Sequence, residues 1–194
     1  MSERKTVTDS SGFVYVIGTE EEGLKFIGRE SEPFEQPWPI DVKGIQHLAE
    51  SVEDPNPLYW SDEFGKQTRW GGRIANWGDA WLLGGEHDVW RPAWWERKDE
   101  SSFSYMTIPL PGTRLLATNY EVECYVPFRP GDRIISTYKV ADIIPKTYRI
   151  GVGHVIVMEN YLRNQKGELC IKDKRWVFRY QPVEVAAGSQ NGAK

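Results

Sequence analysis

Cysteine and histidine are the scarce residues of this chain, and their scarcity closes off several chemistries. The 194 residues include two cysteines and three histidines. Cys124 and Cys170 show no ligand spacing, so neither a metal nor another cofactor is expected. Both lie in apolar, strand-like runs and read as two reduced core thiols. No apolar run approaches the roughly 20 residues of a membrane span. The start, Met1-Ser2-Glu3-Arg4-Lys5, lacks the apolar stretch of a signal peptide, so a cytoplasmic protein is expected. A phosphate-binding glycine loop is also missing. The net charge of −4 comes with no concentrated basic cluster, which argues against a nucleic-acid partner.

What is present suits a soluble globular domain: hydrophobic residues make up 40% and charged residues 27%. This length suggests one domain with enough chain to bury a core. Residues 1–11 and 186–194 are small and polar and read as loose ends around a domain spanning 12–185. The nine tryptophans are a surplus. Trp90, Trp94 and Trp95 cluster, either as core and interface packing or as a wall for a bulky ligand.

Proline-rich residues 33–40 suggest an edge strand. Asp41 then caps a helix, since its carboxylate can accept from the free N–H groups of the first turn. Val42, Ile45, Leu48, Ala49 and Val52 recur at helical spacing, and His47 points away from that stripe toward the surface. Pro55 and Pro57 push Asp54 and Asn56 out of helical geometry. Glu53-Asp54-Pro55-Asn56-Pro57-Leu58-Tyr59-Trp60 is therefore expected as a stiff, extended loop holding one carboxylate. Ser61-Asp62-Glu63 opens a short helix to about Thr68.

Gly71-Gly72 permits a tight turn, and residues 74–85 are apolar nearly all round, which predicts a buried helix. Residues 86–112 form a long aromatic excursion. Strands follow. Residues 120–128 alternate with a period of two. Arg129-Pro130-Gly131-Asp132 is a turn, and residues 134–143 make the next strand. Residues 152–162 are almost continuously apolar and should be central. Residues 164–167 then turn into a last strand at 169–180, where Trp176, Phe178 and Tyr180 share a face. An antiparallel meander is expected. One apolar helix and a bent antiparallel sheet make an α+β domain in which the sheet wraps the helix, the hot-dog arrangement.

Several of these residues resemble a known family. Glu53-Asp54-Pro55-Asn56-Pro57-Leu58-Tyr59, followed by Gly71-Gly72-Arg73-Ile74-Ala75, is similar to the motif of the MaoC-like (R)-specific enoyl-CoA hydratases and dehydratases. That motif runs Gly-Asp-x-Asn-Pro-Ile-His, then Gly-Gly-x-Ile-Ala-x-Gly. Residues 126–133 and 164–168 resemble the family's later turns. Asp-Pro-Asn-Pro-Leu-Tyr-Trp looks nearest to its FAS1-like dehydratase N-terminal branch. The resemblance spans roughly residues 33–181.

It implies reversible hydration of an acyl-thioester, carried on coenzyme A or a carrier protein. Adding water to an enoyl thioester takes a base, an acid and donors for the thioester oxygen. Asp54 matches the catalytic aspartate and Asn56 the supporting asparagine. Tyr59 stands where the family has histidine. Its reference pKa near 10, against about 6.5, makes it a poor base at neutral pH. Gly78, or Trp77 beside it, would supply the oxyanion N–H, although Ile74-Ala75-Asn76-Trp77-Gly78 is one residue longer than the family pattern. None of His47, His87 or His154 has the family's spacing to Asp54.

Three functions remain open. The chain is a subunit of a heteromeric hydratase/dehydratase, lacking the full Asp/His dyad and widening an acyl tunnel walled by Trp90, Trp94 and Trp95. Its partner would then be a second hot-dog subunit carrying the dyad, otherwise a homodimer. Alternatively, it is a self-sufficient enzyme using Asp54 with Tyr59 or water. Alternatively, it binds acyl-CoA without chemistry.

Overall fold

The computed structural model describes residues 5–77 and 103–183. The chain opens with a hairpin of β1 (Thr6–Thr8) and β2 (Val14–Val16). Residues 6–8 of the expected loose end thus form a strand. Asp9 makes the turn, because its Oδ1 accepts from the N–H groups of Ser11 and Phe13. Helix α1 (Glu20–Leu24) is closed by a capping box between Thr19 and Glu22.

The short strand β3 (Phe34–Glu35) lies at a sheet edge, as its proline-rich surroundings predict. Helix α2 (Val42–Ser51) begins where expected, with the Asp41 carboxylate accepting from the Gly44 N–H at 2.8 Å. Ile45 and Ala49 of its apolar stripe are buried, whereas Val42 and Val52 at the two ends are exposed. His47 is exposed, as expected. The following loop departs from expectation. Asn56 accepts from the Leu58 N–H, Pro57 takes the first helical position, and Pro57–Trp60 forms one turn, α3. A proline that disfavours helix before it is well placed to start one. Helix α4 (Asp62–Lys66) follows from its Ser61 cap.

Four long strands come next: β4 (Arg114–Cys124), β5 (Ile135–Tyr148), β6 (Gly151–Arg163) and β7 (Leu169–Pro182). With β3 they form one antiparallel sheet in the order β3-β5-β6-β7-β4. The apolar strand β6 is central, flanked by β5 and β7. The meander expectation holds only for β5, β6 and β7. Strand β4 does not pair with β5, which follows it, but with β7 on the far side. It also ends at Cys124, short of Val126 and Phe128.

Cross-strand partners share a face, so the register sorts the core. Leu162 and Ile171 pack with Ile45, Ala49, Tyr59, Ile74 and Phe128 at one end of a face. Met158 and Ile156 on the same face pack with Phe26, Phe103, Ile108 and Leu110 at the other. Phe103, Ile108 and Leu110 belong to the aromatic excursion, whose described part is thus core. The opposite face holds Val155, Val157 and Phe178, with Phe178 stacked on Tyr180 at 4.9 Å.

Arg179 locks the second of these regions. Fully buried, its guanidinium donates to six carbonyl oxygens: Val16, Tyr105, Met106, Ile108, Leu110 and Gly112. The expected buried helix enters the described residues only as Ile74–Trp77, which are irregular, and its remainder lies outside them. Among the described residues no helix is long and apolar enough to cross a membrane.

Candidate functional site

The Asp54 loop is built by local devices in succession. Glu53 adopts a left-handed conformation, φ 54°, which turns the chain out of α2. The Asp54 N–H then bonds back to the Ala49 carbonyl at 2.8 Å. The Asp54 carboxylate is held at both oxygens. Oδ1 accepts from the Asn56 N–H at 2.9 Å, and Oδ2 faces the Asn76 side-chain amide, Nδ2, at 3.4 Å. The Trp60 indole N–H donates to the Asp54 carbonyl at 2.9 Å. Asp54 is half-buried, so its carboxylate is oriented but not sealed.

Asn76 reaches Asp54 because the chain from 70 to 77 is pinned on both sides. The Ile74 N–H donates to the Leu58 carbonyl at 3.3 Å, and the Ala75 N–H to the Phe128 carbonyl at 2.8 Å. Arg73 ties the same stretch to α3 and α4 through the Trp60 carbonyl and the Asp62 carboxylate. Gly71 and Gly72 both have positive φ, 66° and 157°. Gly65 of α4 lies against Gly72 so closely that a Cβ there would overlap the Gly72 carbonyl. The turn at 129–132 closes the other side. Asp132 accepts from the Arg129 N–H at 2.8 Å, the Gly131 N–H donates to the Ile40 carbonyl at 2.7 Å, and the Ile40 N–H donates to the Asp132 carbonyl at 2.8 Å.

Tyr59 turns inward. It is 5% exposed and packs among Ile40, Ile45, Ala49 and Ile74. Trp77 stands against Trp70, ring centroids 5.8 Å apart, in an open cleft of about 540 Å³. Among the described residues Arg69, Cys124 and Tyr125 also line it, and the Arg69 guanidinium lies 4.2 Å from the Trp70 ring. The cleft adjoins Asp54 through the Asn76–Trp77 peptide. Gly78, Trp90, Trp94 and Trp95 lie outside the described residues, as does His87.

The expected pair of core thiols is half right. Cys170 is buried, but Cys124 is exposed at the end of an edge strand. Burial pushes the Cys170 thiol up to about 12. His154 is buried with its Nε2 at 3.2 Å from Glu20. It cannot serve Asp54: it lies eight residues along β6 from Leu162, which packs with Tyr59, or about 26 Å of strand. Among the described residues no group of three or more His, Cys, Asp or Glu could hold a metal.

The structure therefore brings Asp54, Asn56 and Asn76 together and sets Tyr59 and Trp77 apart, in a core and in a cleft. Asn76 carried no signal in the sequence, because it acts through a neighbour distant in the chain, and Arg69 carried none because the cleft it lines is shared with residues far along the chain. A half-exposed carboxylate with fixed orientation can take or give a proton. Among the described residues no imidazole bonds to it.

The antiparallel sheet and the loop beside it fit the hot-dog fold. The FAS1-like, dehydratase domain region model matches residues 25–172, and the chain belongs to that family. A curated relative from Thermomonospora curvata, "Probable enoyl-CoA hydratase alpha subunit", is 28% identical over 176 residues, 85% of this chain and 53% of the relative. The chain thus spans about half the length of that relative. The solved ChsH1-ChsH2 complex from Mycobacterium tuberculosis contains a similar chain: TM-score 0.64, 17% identity, covering 84% of this chain and 96% of that one. The MaoC-like dehydratase from Rhodospirillum rubrum gives TM-score 0.55 at 18% identity, covering 81% and 94%. At these identities the two structures establish the fold.

Proposed function

We propose that this chain is one subunit of a heteromeric enoyl-thioester hydratase/dehydratase, which helps form the acyl site while a second hot-dog subunit supplies the complete Asp/His dyad. One observation carries the reading. The family's aspartate loop is intact and well braced around Asp54, yet the histidine position holds Tyr59, packed into an apolar cluster. A base for water activation must lie within hydrogen-bond reach of the proton it takes. The relative named an alpha subunit, and the two-component complex among the solved structures, support the same reading.

In this scheme the Trp70–Trp77 cleft contributes a wall of the acyl site, together with Trp90, Trp94 and Trp95, and Gly78 or Trp77 supplies the oxyanion N–H. The thioester is carried by coenzyme A or a carrier protein. The assembly works in the cytoplasm, where two unpaired cysteines stay reduced.

Enoyl-CoA hydration by the purified chain, alone and reconstituted with a dyad-bearing hot-dog subunit, tests the proposal. The chain alone should be nearly inactive, and pairing should raise the rate at least a hundredfold. Asp54→Asn in this chain should leave the paired rate within about threefold. Efficient turnover by the homomer, abolished by Asp54→Asn, would instead make the chain a self-sufficient enzyme.

A further inference from the structure

The turn that leads into the Trp70–Trp77 cleft carries more positive charge than it pairs. The guanidiniums of Arg69, Arg73 and Arg129 border residues 69–73, and among the described residues none of them forms an ion pair. Two are spent on backbone. Arg73 donates from Nη2 to the Trp60 carbonyl at 2.9 Å, and Arg129 from Nη2 to the Trp70 carbonyl. The Arg73 Nη1 is buried and has no partner. The carboxylates next to these elements are taken. Asp62 holds Lys66 at 2.6 Å and the Arg73 N–H at 3.2 Å. Asp132 accepts from the Arg129 N–H and the Gln165 amide. Glu123 accepts from the Tyr125 hydroxyl at 2.6 Å and has Lys172 at 3.7 Å.

Arg69 is the cation left over. It is exposed, lines the cleft, and lays its guanidinium over the Trp70 ring. Stacking occupies the flat face of a guanidinium and leaves its N–H edge to donate. Among the described residues that edge meets no acceptor. The Trp70 ring beneath it is itself held, because Arg129 pins the Trp70 carbonyl and Trp77 packs against the indole. The cleft therefore has indole walls and a steadied, unpaired cation at an open rim. A plain alkyl chain would fill the walls and leave its end in water beside a charge. An anionic end would stay hydrated there, and a carboxylate matches the two parallel donors of a guanidinium edge.

We propose that the cleft seats an acyl group that ends in a carboxylate, with Trp70 and Trp77 against its methylenes and Arg69 as the residue that selects the charged end. This rests on the acyl-thioester reading above, in which the cleft is a wall of the acyl site, and names the acyl class. The phosphates of the carrier are the other anions such a substrate brings. They lie a pantetheine arm from the thioester, on the side away from the acyl chain, so an acyl wall meets the carboxylate.

The test is calorimetric binding of saturated acyl-CoA thioesters, C4 to C12, to whichever form of the full-length chain, paired or homomeric, hydrates enoyl-CoA in the experiment above. Each length is tried with a methyl or a carboxyl terminus. A plain apolar tunnel binds the carboxyl form more weakly at every length. Here one length should favour carboxyl over methyl about tenfold, a difference that a charge-assisted hydrogen bond can supply. Arg69→Gln, a change at an exposed position, should cut that preference below threefold. Methyl forms binding as well as carboxyl forms at every length would overturn the proposal. So would an unchanged preference in Arg69→Gln; if both forms then weaken alike, Arg69 serves the carrier's phosphates instead. If neither form of the chain hydrates or binds any acyl thioester, the acyl-thioester reading falls and takes this one with it.

Discussion

Asp54 and Arg179 are both charged, both held by hydrogen bonds, and built for opposite ends. Arg179 is fully buried, and six carbonyls surround its guanidinium. The carbonyls come from β2 and from residues 105–112, which have little secondary structure of their own. Asp54 is half-exposed and held by one backbone N–H and one side-chain amide. The saturated charge fastens irregular chain to the sheet. The lightly held one keeps lone pairs for something else. Counting partners thus separates the two charges where burial alone would rank them by depth.

The sharpest break of this contrast is Arg179→Met. It removes the charge but leaves six carbonyls, three of them in fully buried bonds, short of a donor. Breaking one side of such an arrangement costs roughly 3–5 kcal/mol, so the urea midpoint should collapse. Hydrogen exchange should speed first in β2 and residues 105–112. A loss under 1 kcal/mol would mean that water replaces the guanidinium easily.

Gly65→Ala probes the opposite region. The new Cβ would overlap the Gly72 carbonyl, and backbone cannot give way as a side chain can. The expected cost is about 1–3 kcal/mol, as for other overpacking. The damage should centre on the 70–77 stretch that delivers Asn76 and Trp77, so acyl-CoA binding should weaken beyond what lost stability explains. Unchanged binding would separate the Asp54 loop from the cleft.

The two thiols repeat the contrast in titration. Burial holds Cys170 neutral up to about 12 in the folded chain, above its ordinary value near 9. The unfolded thiol ionises first, so this group's stability is fully present below pH 9. It falls by about 1.4 kcal/mol per pH unit above that, until the folded thiol ionises. Urea midpoints at pH 8, 9.5 and 10.5 should show a steeper alkaline loss in the natural chain than in Cys170→Ala. Equal slopes would mean that Cys170 ionises freely. Cys124 alone should react with a maleimide in native protein.

Much of what is written locally was legible, the helical turn begun at Pro57 and the turn at Asp9 excepted. Asp41, Pro55, Gly71-Gly72 and the 129–132 turn act within a few residues, and each stands where its side chain predicts. The apolar run of β6 reported its own centrality, since a strand covered on both faces needs no polar alternation. The pairing of β4 with β7 was not legible, because alternation says which face is buried but not which strand lies alongside. Asn76 beside Asp54, and Asn160 beside Asp173, were invisible for the same reason. So was the exposure of Cys124, which looks like any apolar strand residue until its strand proves to be an edge. The Tyr59 substitution was plain in the sequence. Its burial among Ile45, Ala49 and Ile74, which decides what a tyrosine there can reach, needed the fold.

The mildest test concerns how the Asp54 loop begins. Glu53 occupies a left-handed conformation usually left to glycine or asparagine, at a cost of roughly 1 kcal/mol for a residue with a Cβ. Glu53→Gly removes that strain but gives the unfolded chain more freedom, worth about 0.4–1 kcal/mol in the other direction. The two nearly cancel, so stability should change by less than about 0.5 kcal/mol. Glu53→Val keeps the Cβ and adds a branch that tolerates positive φ worse, and should lose about 1–2 kcal/mol. The order of the two variants, more than either value, is the measurement. If valine is tolerated better than glycine, α2 does not end by a left-handed turn. The bond from the Asp54 N–H to the Ala49 carbonyl, which starts the placement of the carboxylate, would then lose its cause.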